Sequence, residues 1–297
     1  MDREEEDEGD DTSTLGSSGQ GPKQGFGIDA TLVEDIEEEY KPLPIVREIN
    51  DYQDYIPDKH KHWDDLPGNL PDSLKYAVKC FILSCAIRRT RGHFTKHNSM
   101  LVHVTRFVRW QDKIAYLINE ELKSFKRQIE YKAGNILSEL KEIWETEYAS
   151  VTDSIIDDER YNDPFIKKHE WYEIESQLHK ATSKIEVRAV HGNKNETELK
   201  HKNITPLDYY DNKKYGLSVI AVGGNKLSRG ITLEGLTINY YLRASKMYDT
   251  LMQMGRWFGY RPGYLDLCRI FTSKELKQWY RFITIASDEL REDFEEM

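Results

Sequence analysis

The chain has 297 residues, 38% hydrophobic, 11% aromatic and 32% charged, which is apolar material for one large or two small domains with a substantial core. No stretch approaches the roughly 20 apolar residues that cross a bilayer. The N-terminus is acidic and so is no secretory signal; composition therefore points to a soluble cytoplasmic protein and excludes a membrane one. The formal charge of −10 is unevenly spread: residues 1–40 hold 14 Asp/Glu against only Arg3 and Lys23, which leaves the rest of the chain at +2.

Residues 1–30 pass from an acidic run into a Gly/Ser/Thr/Gln segment, too poor in large apolar groups to fold alone, and are predicted to be a disordered acidic tail. Residues 31–65, rich in Pro, Tyr and Asp, read as an extended arm over the surface. Residues 66–297 read as one domain. A helix is predicted from Pro71, capped by Asp72 or Ser73, with Leu74, Ala77, Val78, Phe81, Ile82 and Cys85 at helical spacing and Gly92 as its stop. Cys80, Cys85 and Cys268 show no paired metal-ligand spacing, and an odd, sparse set suits a reducing compartment.

Met100 to Thr105 reads as a buried strand, and a helix from about Gln111 puts Ile114, Leu117, Ile118, Leu122 and Phe125 on one face. The highly charged stretch 131–180, helical in pattern and broken near Asp163-Pro164, is read as an insertion. Further strands are predicted at Ile185–Val190, Leu217–Val222, Leu236–Leu242 and Leu267–Thr272, with a helix from about Tyr248 to Phe258. Strands alternating with helices predict an α/β fold, a mainly parallel sheet covered on both faces. Ligands of such sheets sit beyond the carboxyl ends of the strands, where Thr105, His191, Gly223, Gly224 and Ser228 are all expected.

Gly223-Gly-Asn-Lys-Leu-Ser-Arg-Gly230 follows a strand, so two glycines can bring backbone N–H groups close to an anion. Lys226, Ser228 and Arg229 add a point charge, a hydroxyl and a planar fork suited to phosphate oxygens. The segment is no P-loop, since the Gly-Lys-Ser/Thr ending is missing. On the helix ending near Phe258, Gln253 and Arg256 lie three apart and share a face, while Arg261 follows Gly259. An arginine so placed can act on a phosphoryl group held by another lobe, or else the two arginines pair with acids such as Asp249 and Asp266. From Ser73 through Gln111 there is no acid, but eight cations, of which Arg88, Arg89 and Arg91 form the densest group, with Arg106 and Arg109 further on. That run is a credible phosphate footprint. His103, inside an apolar strand, reads as a core histidine.

Together these residues resemble the C-terminal, RecA-like lobe of superfamily-two helicases. Thr105-Arg106-Phe107 resembles the fourth helicase motif, Val190-His191-Gly192 the segment after it, Leu227 to Leu233 the fifth, and Gln253 through Arg261 the sixth, arginine-finger motif. More narrowly, the run from Leu227 to Ile270 resembles the Z-one domain family, whose members carry an endonuclease label and occur with helicase-like proteins of restriction and defence loci. The resemblance implies Gln253, Arg256 and Arg261 as catalytic residues toward ATP bound jointly with a Walker A-bearing partner lobe, with magnesium at the nucleotide. It implies nucleic-acid contacts from Thr105, Arg106, His191, Gly192, Gly224, Lys226, Ser228, Arg229 and Gly230, beside Arg88, Arg89 and Arg91 from the basic run. DNA is the expected partner. Two departures stand out: Thr232 occupies a position where helicases commonly have Asp, and Arg256 and Arg261 are five apart rather than three. No Walker A loop or Asp-Glu metal motif precedes residue 66, so the chain reads as half of a motor. The alternatives are a metal-dependent nuclease, with Asp157-Asp158-Glu159 and Lys167-Lys168 or Glu186 and Arg188 as candidates, and a non-catalytic interaction module.

Overall fold

The computed structural model describes residues 44–158, 160–190, 207, 209–224, 233–242 and 262–295. Its strands are β1 (Val46–Glu48), β2 (Asn98–His103), β3 (Ile185–Val190), β4 (Ser218–Gly223), β5 (Leu236–Tyr241) and β6 (Arg269–Thr272). They form one sheet in the order β1-β6-β5-β2-β4-β3, with every neighbouring pair parallel. The central strands β2, β4 and β5 are buried along their whole length, which is why each reads as a near-continuous apolar run instead of an alternating one.

The pleat still sorts side chains by face. Met100, Val102, Ile220, Val222 and Ile238 face one core, and Leu101, Val219 and Ala221 face the other. The first core is filled by α1 (Asp72–Thr90), α2 (Val108–Tyr131), α3 (Ile136–Ile143), a π-helix (Trp144–Ala149) and α5 (Trp171–Ser183). Between the π-helix and α5 lies the short α4 (Ser150–Ile156). The second core takes Leu276 and Ile283 of α6 (Lys274–Glu295). The α/β class expected from the sequence, a parallel sheet with helices on both faces, is therefore what the chain adopts.

Several details differ from the sequence reading. Val46–Glu48, within the stretch expected to be an extended arm, is an edge strand of the sheet paired with Ile270–Thr272. Three residues are too few for a periodic signal; pairing and an ion network hold them instead. Glu147 of the π-helix binds the guanidinium of Arg47 on β1 and accepts a 3.1 Å hydrogen bond from Arg269 Nε on β6. The stretch 131–180, expected as an insertion, buries Ile136, Leu140, Ile143, Tyr148, Ile174 and Leu178 in the main core. Its many charges hid these positions because they occupy the solvent side of the same helices. The first turn of α1 has no local side-chain cap from Asp72 or Ser73; Asp51 Oδ2 accepts from Ser73 N at 2.8 Å across 22 residues of sequence. Gly92, at φ 85°, follows the helix end as expected.

Candidate nucleic-acid interface

Strand β2 ends at His103 and the chain turns through Val104, Thr105 and Arg106 into α2, while the neighbouring strand β4 runs out at Gly223. Both ends lie at the carboxyl edge of the sheet. Thr105 is buried there; its Oγ1 accepts from Phe107 N at 3.1 Å and lies 2.7 Å from His60 Nε2. Gln111 Nε2 donates to the Thr105 carbonyl at 3.1 Å. Gly224 packs against the same group: a Cβ at this position would lie 2.6 Å from Gln111 Nε2, 3.4 Å from Thr105 O and 3.6 Å from Arg106 Cα. Only glycine fits without displacing the amide. Thr105, Arg106 and Gly224, far apart in sequence, thus form one small patch. Arg106 is exposed, with its guanidinium 5.0 Å from the Phe107 ring centre.

The basic run divides. Arg88 is 3% exposed and donates to His97 O at 2.6 Å and Asn98 Oδ1 at 2.7 Å, with Tyr264 beneath its guanidinium. Arg91 makes a two-pronged pair with the fully buried Asp266, at 2.8 and 2.6 Å. Against expectation, neither guanidinium is open to a phosphate; both close the interior where α1 passes into β2. Asp266, named as a partner for Arg256 or Arg261, is taken by Arg91 and by Thr152 Oγ1 at 2.6 Å. Arg89 remains partly exposed over Phe94, at the amino edge of the sheet and so away from Thr105. His191, Gly192, Lys226, Ser228, Arg229, Gly230, Gln253, Arg256 and Arg261 lie outside the described residues.

One contributor to the carboxyl edge was not singled out from the sequence. His60 stacks on Trp110 at 4.2 Å and approaches Phe107 at 5.6 Å, and it bonds Thr105. Trp110 Nε1 donates to Lys61 O at 3.0 Å, and Arg109 donates to His62 O and Asp64 O. The segment Lys59-His-Lys-His-Trp63 is thereby clamped beside Arg106. Its alternation of basic and aromatic residues was the available signal, diluted by the surrounding acids.

Burial, joined at Cys80 by the charge of Glu147 and opposed at Cys85 by that of Arg88, pushes the Cys80 and Cys85 thiols up to about 12, so both stay protonated and unreactive. His103 is fully buried, with the Tyr241 ring 5.5 Å away. Of the groups considered for metal-dependent cleavage, Asp158 pairs with Arg160, Glu186 with Arg188 and Lys168 with Asp153, while Glu159 lies outside the described residues. Among the described residues no three His, Cys, Asp or Glu side chains converge to hold a metal ion, and no helix is long and apolar enough to cross a membrane.

Fold and edge together define an α/β protein whose candidate site is built where adjacent parallel strands end. The profile of the Z1 domain matches residues 73–297, and the chain belongs to the Z1 domain family. Strand β1 and the His60 segment precede the matched residues. Neither the curated proteins nor the solved structures yield a significant match.

Proposed function

We propose that this Z1 domain chain is the nucleic-acid-engaging, RecA-like second lobe of an ATP-dependent DNA translocase, acting in restriction or defence. The observation that supports this most is the meeting of Thr105-Arg106 with Gly224 at the carboxyl edge. There the ends of two adjacent strands would present backbone amides and cations to a phosphodiester chain. Arg106 contacts the DNA backbone directly, Thr105 is held in position by His60, and Lys226, Ser228 and Arg229 follow Gly224 in sequence. Gln253, Arg256 and Arg261 act on ATP bound by a Walker A-bearing partner lobe, with magnesium at the nucleotide. The chain alone then binds DNA and turns over no ATP.

Fluorescence anisotropy with a labelled 20-mer, single- and double-stranded, tests this. Affinity is expected to fall steeply with salt and to drop further in Arg106→Glu. ATP hydrolysis by the purified chain, or no DNA affinity at about 50 mM salt, overturns it. Incubating supercoiled plasmid with magnesium or manganese checks the family's nuclease label, and nicking there would replace the translocase assignment.

A further inference from the structure

At the opposite, amino edge of the sheet, α1 ends, β2 and β4 begin and α5 runs into β3. Between them lies a surface bowl whose lining includes Arg89, Lys96 and Lys184 and, among the described residues, no acid. Among the described residues Arg89 has no carboxylate partner: its guanidinium lies 5.3 Å from the Phe94 ring, and its Nε is buried without a hydrogen bond. Lys184 Nζ donates, among the described residues, to a backbone carbonyl, Tyr215 O, at 3.2 Å. Three cations that line one bowl with no acid among its described lining residues form an anion site by ordinary Coulomb reasoning.

Two further features say which anion. Phe94 and Tyr215 line the same bowl with 52% and 64% of their surfaces exposed, and Lys214 lies 5.2 Å over the Tyr215 ring. Exposed rings already flanked by cations are the arrangement that stacks bases beside a tracked phosphate backbone. The bowl is shallow, with room for about one water-sized group at its floor, so a phosphate would insert a single oxygen there and the rest of the ester, base included, would lie outside, on the rings. Its shape is built in: Gly216 has φ 71°, and a Cβ there would meet Lys96 O at 2.7 Å, so glycine lets the turn before β4 press against the Lys96 segment. Burial first, and then the charges of Arg88, Arg91 and Lys96 against that of Asp163, hold His93 below its usual range, so cations outweigh the nearby acid.

We propose that this bowl binds a nucleotide unit, with its phosphate on Arg89, Lys96 and Lys184 and its base against Tyr215 or Phe94. It is a second site on the face of the sheet edge opposite the Thr105 patch, and it does not depend on that patch. The phosphate ester could belong to a polynucleotide or to a free nucleotide.

The test uses the full chain with a labelled dT 20-mer by anisotropy and with AMP by calorimetry, for wild type, Lys96→Glu/Lys184→Glu, Tyr215→Ala and Arg106→Glu. All four positions are exposed, and melting curves confirm that each variant folds. For a polynucleotide site, the double variant is expected to weaken dT binding at least about tenfold at low salt and to reduce the salt slope by about 1.4, for two single-strand contacts. Tyr215→Ala is expected to weaken it about fivefold or more. For a free-nucleotide site, AMP binding disappears in the double variant while dT binding is unchanged. Unchanged affinity for both ligands in the double variant overturns the inference, even if Arg106→Glu loses DNA and so upholds the carboxyl edge. If wild type binds AMP through this bowl but no DNA, the translocase reading fails and the bowl stands.

Discussion

The two edges of this sheet handle their arginines in opposite ways. At the amino edge Arg88 and Arg91 turn inward, one onto main-chain carbonyls and the other onto buried Asp266, leaving Arg89, partly exposed, as the member of a three-arginine cluster without such a partner among the described residues. At the carboxyl edge Arg109 fastens the His60 segment and Arg106 stays at the surface. A basic run along the chain is therefore not a basic surface. A guanidinium that can reach a buried carboxylate or an unpaired carbonyl closes the fold, and only what remains is free to meet a phosphate.

The contrast is broken most severely by removing an interior partner. Asp266→Ala leaves the Arg91 guanidinium buried without its carboxylate and orphans Thr152; a loss of about 3–5 kcal/mol is expected in urea denaturation. Next comes the acid limb of stability. Burial by itself raises the Glu147 carboxyl, but the hydrogen bond and charge of Arg47 and the charge of Arg269 outweigh it and hold the group below the usual carboxylate range. With the folded value depressed, the unfolded chain takes up the proton first. The stabilisation is therefore complete above pH ~4.3 and is lost as pH falls through the folded value. Unfolding free energy measured from neutral to acid pH should show Glu147→Gln clearly below wild type at neutral pH, with the two converging under acid.

A smaller effect falls on the carboxyl edge. Gly224→Ala forces the Gln111 amide off the Thr105 carbonyl, leaving a buried group unsatisfied at about 1–3 kcal/mol, with a parallel fall in DNA affinity by anisotropy. Smallest in stability is Arg106→Ala, expected to move it by no more than about 0.5 kcal/mol while lowering the salt slope of DNA binding. If instead Arg106→Ala unfolds the chain and Asp266→Ala is harmless, the division between interior and surface arginines is wrong.

Much of the fold was legible in the chain. The runs at Met100, Leu217 and Leu236 are strands because burial on both sides of a parallel sheet demands apolar stretches; the run at Ile185 is an edge strand that still alternates, and Leu74 through Cys85 and Ile114 through Phe125 are helix faces. The Thr105 and Gly224 edge followed from strand direction alone. What escaped were features made by distant partners. Strand β1 is three residues long and exists through β6 and Glu147. Asp51, not Asp72, caps α1. His60 reaches Thr105 across 45 residues.

By itself the sequence determined the class of fold, the positions of its main strands along the chain and the family, since hydrophobic period and turn residues are local properties written along the chain. Only the tertiary structure decided which arginines face inward, which loops touch, and that Lys96, Lys184 and Tyr215 share one bowl with Arg89. Charge pairing and close approach depend on distances through space, and residues that neighbour one another along a backbone can be sent to opposite sides of a helix or a sheet.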